Sequence, residues 1–139
     1  MRSWHDFHIT SYAVDGKRRE ISFDLEWPYD TPIDVKSARL HFQGVEAYFF
    51  EHDLGGNIVG SIEERPLRGF LEAWAEKFET ECKWGWPKFW RPTRYPPSPV
   101  EVTLEECFQS LTALRVKCFE ISSSYGLSGW VLATEIHHA

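Results

Sequence analysis

The sequence predicts a single α+β domain: an antiparallel sheet of about six to seven strands with two helices packed on one face. Three observations carry this expectation. Apolar and polar residues alternate in several runs separated by short glycine-containing turns, the pattern of hairpins. Two stretches change to a helical period. No strand–helix–strand alternation is visible, which argues for antiparallel pairing with the helices segregated to one face. The 139 residues suit one domain, 1–139, and the apolar share of 42% with 16% aromatics excludes a largely disordered chain.

Taken in order, residues 7–14 read as extended, with Thr10, Tyr12 and Val14 favouring a strand. Asp15-Gly16-Lys17 then offers a hairpin turn, because Asp-Gly tolerates positive φ. Residues 18–27 give the clearest strand, with Ile21, Phe23, Leu25 and Trp27 on one face and Ser22, Asp24 and Glu26 on the other. Pro28 to Pro32 is a loop. Ala38, Leu40 and Phe42 point inward in the next strand, and Gly44 permits a turn or bulge. Residues 45–51 form a further strand, apolar on both faces at Tyr48-Phe49-Phe50. After the turn Gly55-Gly56-Asn57 another strand runs to Glu63-Glu64.

At Pro66 the period changes. Leu67, Phe70, Leu71, Trp74 and Phe78 make one helical stripe, and proline suits the first turn, where its missing N–H costs nothing. Residues 82–99 contain five prolines and a glycine and are read as a loop. Thr103-Leu104-Glu105-Glu106 matches a capping box opening a second short helix with Cys107, Phe108 and Leu111. The chain ends in a hairpin: an extended run over 115–123, a turn at Tyr125 to Gly129, and one alternating strand from Trp130 to Ile136.

The formal charge is −6. Acidity disfavours duplex nucleic acid and suits a basic protein surface. Cys82, Cys107 and Cys118 are odd in number and lack metal-ligand spacing, so buried thiols are expected rather than a disulfide framework. The opening Met1 to Asp6 holds no apolar signal region, and no apolar run approaches the roughly 18 residues that cross a bilayer. These readings predict a cytoplasmic protein without membrane association.

The loop 82–99 is the most unusual feature. Trp84, Trp86, Phe89, Trp90 and Tyr95 interleave with Lys83, Lys88, Arg91 and Arg94, so the loop carries +4 while the rest of the chain carries −10. Exposed aromatics and arginine anchor protein interfaces, and they also stack on single-stranded bases. A third reading is a lid that buries its tryptophans. His5, His8, His137 and His138 would meet only if the first and last strands were neighbours, and no zinc motif enforces it. Ser122-Ser123-Ser124 reads as a turn, without a nucleophile elbow. Glu63-Glu64 and Glu105-Glu106 read as acids at helix N-termini. No metal, cofactor or catalytic residue is expected.

Several segments carry a resemblance when taken together: His5-Asp6 opening the first strand, the alternating second strand, Leu40-His41-Phe42-Gln43-Gly44-Val45, and Ile121 through Trp130. The chain resembles small bacterial domains of unknown function, some of which are similar to immunity proteins of contact-dependent or polymorphic toxin systems. The loop 82–99 reads as an insertion relative to that pattern. The resemblance implies a non-enzyme that binds and blocks a cognate toxin. Its interface candidates are Trp84, Trp86, Phe89, Trp90, Arg91 and Arg94, with Asp24 and Glu26 supplying acidic complementarity. Two other expectations stand beside it: a small-molecule or enzymatic pocket roofed by the aromatic loop, and a homodimer covering the apolar face at Tyr48-Phe49-Phe50.

Overall fold

Period-two alternation works as expected in the second strand: Ile21, Phe23 and Leu25 are all buried. The computed structural model describes residues 2–93 and 96–139. Its strands are β1 (His8–Asp15), β2 (Glu20–Glu26), β3 (Ser37–Gln43), β4 (Ala47–Glu51), β5 (Ile58–Arg65), β6 (Lys117–Tyr125), β7 (Ser128–Ala133) and β8 (Glu135–His138). The helices are α1 (Leu67–Glu81) and α2 (Val100–Ala113), with a 3-10 turn at Cys82–Trp84. The α+β class and antiparallel pairing hold. Among the described residues the strand number is eight, because the terminal run from Trp130 to Ile136 is two strands broken at Thr134.

That break closes the sheet. The strand order is β4-β7-β6-β5-β1-β2-β3-β8, and every pairing is antiparallel. Its two ends are continuous in the chain: β3 runs into β4, and β7 into β8. The β3–β8 and β4–β7 ladders are therefore one bent ladder, stitched across the bend by Thr134 N to Gln43 O (2.9 Å) and Glu46 N to Leu132 O (2.8 Å). The result is a barrel of six long strands, which hides most of its strand edges. Gly44 makes the bend at φ +62°, and a Cβ there would lie 2.3 Å from the Thr134 hydroxyl oxygen. The broken ladder leaves two splayed corners, one where β4 parts from β2 and one where β8 parts from β6.

Two cores result. Phe23, Leu40, Phe42, Val59, Phe119, Ile121 and Val131 fill the barrel, joined by Trp4 and Phe7. The outer wall formed by β4, β7 and β6 packs Trp130, Leu132 and Cys118 against Leu71, Phe78, Leu104 and Leu111 of the helices. Both faces of β4 are partly covered from within the chain: Phe49 lies 5.2 Å from the Trp74 ring and Phe50 lies 5.2 Å from Tyr12, while Tyr48, Phe49 and Phe50 stay half-buried beside a cleft of about 410 Å³.

Local departures have physical causes. The first hairpin turns over residues 16–19 with the positive φ on Arg19 rather than Gly16. The Asp15 carboxylate accepts the Arg18 N–H at 2.9 Å and holds that wider turn. The capping box fails: the N-cap is Pro99, four residues before Thr103, and the Pro99 carbonyl accepts the N–H groups of Val102 and Thr103. Thr103 is consequently inside the helix and buried. Glu105 is also internal and pairs with Arg68 at 2.8 Å, while Glu63 and Glu64 sit at the end of β5, so neither acidic pair caps a helix. Ser122, Ser123 and Ser124 lie in β6, not in a turn.

The three cysteines are free, and burial pushes the Cys107 thiol up to about 11 and Cys118 up to about 12. No helix among the described residues is long and apolar enough to cross a membrane.

At the β4 corner the Tyr12 hydroxyl donates to the Asp53 carboxylate. That hydrogen bond, with burial and the carboxylate charge adding, raises the Tyr12 phenol from 10.0 to about 12. The folded chain therefore holds this proton more tightly than the unfolded chain. The contribution is complete below pH 10 and is lost as pH rises towards 12. Alkaline titration by tyrosine absorbance should show a late phenol for Tyr12, and Tyr12→Phe should remove it. Persistence of the late step in Tyr12→Phe would disprove the assignment.

Candidate functional site

The aromatic loop is rooted in the helix-side core. Trp90 is 2% exposed, stands 5.6 Å from the Phe78 ring, and donates its indole N–H to Glu79 Oε1 at 3.3 Å. Trp86 lies 6.0 Å from Trp130 and 5.6 Å from Phe78, and Phe89 meets Phe78 edge-on at 5.6 Å. The Phe89 carbonyl accepts the Cys107 thiol at 3.3 Å. Trp90 is therefore a core residue, and Trp86 and Phe89 are half-buried supports. As an anchor for a partner, Trp90 is already occupied within the chain, whereas Trp86 and Phe89 keep part of their surface on neighbouring clefts.

Trp84 is the exception. It is 76% exposed at the end of the 3-10 turn, with the Lys83 ammonium 5.4 Å from its ring. Lys83, Lys88 and Arg91 are exposed on the same loop, and Arg91 Nε bonds to the Lys88 carbonyl at 2.9 Å. Arg94 lies outside the described residues. Lys88, Phe89 and Arg91 border a cleft of about 370 Å³ with Arg19, Glu46 and Ser110. The loop thus turns an aromatic side inward and a cationic side outward, with one indole left out.

The acidic candidates sit elsewhere. The Asp24 carboxylate accepts Ser11 Oγ at 2.7 Å and Arg39 Nε at 2.8 Å, and these bonds hold it below the usual carboxylate range. Each of its two oxygens is thus engaged once within the sheet. Glu26 is exposed at the end of β2 and borders a shallow cleft of about 450 Å³ with Asp24 and Arg39. The structure brings Asp24 and Glu26 together, but places neither beside the aromatic loop's clefts.

The histidines at the two ends of the chain do not meet one another, although His137 stands 5.3 Å from the ring of His41 across the β3–β8 ladder. His5 Nδ1 meets the Gly60 carbonyl at 3.0 Å, His8 Nε2 meets the Tyr29 hydroxyl at 3.1 Å, and His138 packs edge-on against Trp4 at 5.2 Å. Strand β8 pairs with β3, not with β1. Among the described residues no three His, Cys, Asp or Glu side chains gather as metal ligands.

One feature escaped the sequence reading. In the corner where β8 parts from β6 lies a cleft of about 660 Å³, lined by Ile62, Glu63, Glu64, Lys117, Phe119 and residues 134–137. It joins three strands that are distant in sequence, so no local motif announces it.

Fold and surface together define an α+β barrel domain with a cationic aromatic projection on one side and an acidic corner cleft on another. No family model matches the chain, and no match was found among the curated proteins.

Proposed function

We propose that the chain is a non-catalytic protein-binding domain of the immunity type, acting on a bacterial toxin by occlusion. The single observation that supports this is Trp84. A rooted loop holds an indole in water beside the Lys83 ammonium, Lys88 and Arg91 are exposed elsewhere on the same loop, and its neighbours Trp86, Phe89 and Trp90 fix its base in the core. Tryptophan and arginine are the residue types most enriched at interface hot spots, and a pre-ordered loop lowers the entropy lost on binding. Removing an indole from the centre of such an interface commonly costs 2 kcal/mol or more, about a thirtyfold loss of affinity.

The test is direct. The chain is tagged and co-expressed with the products of its neighbouring genes, and any retained product is purified and titrated. Wild-type chain should bind one neighbour and relieve its toxicity, while Trp84→Ala should bind at least about thirtyfold more weakly. Retention of no neighbour, or an unchanged affinity in Trp84→Ala, would overturn the proposal.

A further inference from the structure

We infer that the corner cleft beside β8 is a strand-addition site for an extended, lysine- or arginine-bearing segment of a partner protein. This goes beyond the reading built on Trp84, because it concerns a different surface and opposite charge.

The argument begins with backbone. Arg39 and Ala139 exchange both N–H to carbonyl bonds, at 3.1 and 2.9 Å. In an antiparallel ladder such bonded pairs recur every second residue. With His41 opposite His137 and Gln43 opposite Glu135, those pairs are the bonded ones. The N–H and C=O groups of Ile136 and His138 therefore face away from β3. Strand β8 is the last in the sheet order, and no described strand pairs with that side. A free row of donors and acceptors is a template for an added strand.

What lies beyond the edge selects the occupant. The floor is apolar: Ile62 and Phe119 belong to the barrel core, and Ile136 packs against it. The rim carries Glu63, Glu64 and Glu135 against the single cation Lys117. Glu64 stands 4.0 Å from Lys117 and Glu63 stands 3.1 Å from Arg65, while Glu135 has no cation at ion-pair distance among the described residues. A strand added here would lay alternate side chains on that floor and turn the others towards the carboxylates, so an alternating apolar and basic segment fits both faces. A second copy of this chain is the other occupant an open edge invites. Pairing two copies would set one acidic rim against another, which disfavours it.

The probe is a short synthetic peptide of alternating lysine and valine with blocked ends. Its binding to the full chain is followed by the amide resonances of residues 134–138. A glutamate–valine peptide, and a lysine–valine peptide N-methylated at alternate residues, serve as controls. The lysine peptide should shift the Ile136 and His138 amides, both controls should fail, and added salt should weaken binding. The double variant Glu64→Lys with Glu135→Lys changes only exposed side chains and should weaken binding about tenfold or more. Trp84→Ala should leave peptide binding unchanged, so failure here and failure of the loop interface are separable. Absence of binding, equal binding of the glutamate or N-methylated peptide, shifts confined to the loop, or a concentration-dependent dimer through β8 would each overturn the inference.

Discussion

Trp90→Ala is expected to destabilise the protein by about 3–5 kcal/mol, whereas Trp84→Ala, six residues away in the same loop, should change stability by no more than about 0.5 kcal/mol. Trp90 is 2% exposed, and its ring packs on Phe78, itself fully buried. Truncation removes the transfer free energy of an indole and leaves a cavity that Phe78, Leu104 and Cys107 fill only partly. It also leaves Glu79 without the indole N–H it accepts. Trp84 is 76% exposed, so its removal uncovers little new apolar surface. Denaturant unfolding of the two variants measures the contrast. Equal small effects would mean that the loop is not part of the core. Equal large effects would mean that Trp84 is structural, and would weaken its assignment as a docking residue.

Those two indoles also show what a sequence can and cannot disclose. Their crowding among prolines and cations marked residues 82–99 as unusual before any coordinates. Which ring is buried depends on Phe78 and Trp130, the latter 40 residues or more from each, and no local pattern encodes that. The interior of β2 was legible because strict alternation had one wet face. The start of α2 was not, because Thr103-Leu104-Glu105-Glu106 imitates a capping box, while the helix in fact opens after Pro99 with two β-branched valines in its first turn. Closure of the barrel was hidden for a similar reason. Trp130 and Ile136 share parity, yet one faces the helices and the other the barrel, because the bend at Thr134 changes the facing side. The ladder that closes the sheet joins Gln43 to Thr134, 91 residues apart. The corner cleft inherits that illegibility, since it exists only because β8 leaves β6 to complete that ladder.

The closing ladder has one position where a single methyl should undo it. A Cβ on Gly129 would lie 1.8 Å from the Phe49 carbonyl oxygen and 2.8 Å from its carbon, at a φ of +157°. Both atoms are backbone, so no side-chain rotation relieves the overlap, and β4 must move away from β7. Strand β4 has no second neighbour to hold it, as it is the other end of the sheet order. Its displacement withdraws Phe49 from Trp74 and Trp130 and uncovers the helix-side core. Gly129→Ala is therefore expected to cost about 3–5 kcal/mol, in the range of severe core lesions. Gly69→Ala supplies the control: the same methyl on an exposed position of α1, with nothing within 4 Å, should stabilise by about 0.5–1 kcal/mol through helix propensity. Opposite signs for one chemical change would tie the loss to the β4–β7 contact. A Gly129→Ala protein within about 1 kcal/mol of wild type would show that β4 can separate from β7 without cost, and that the barrel does not depend on that half of its closing ladder.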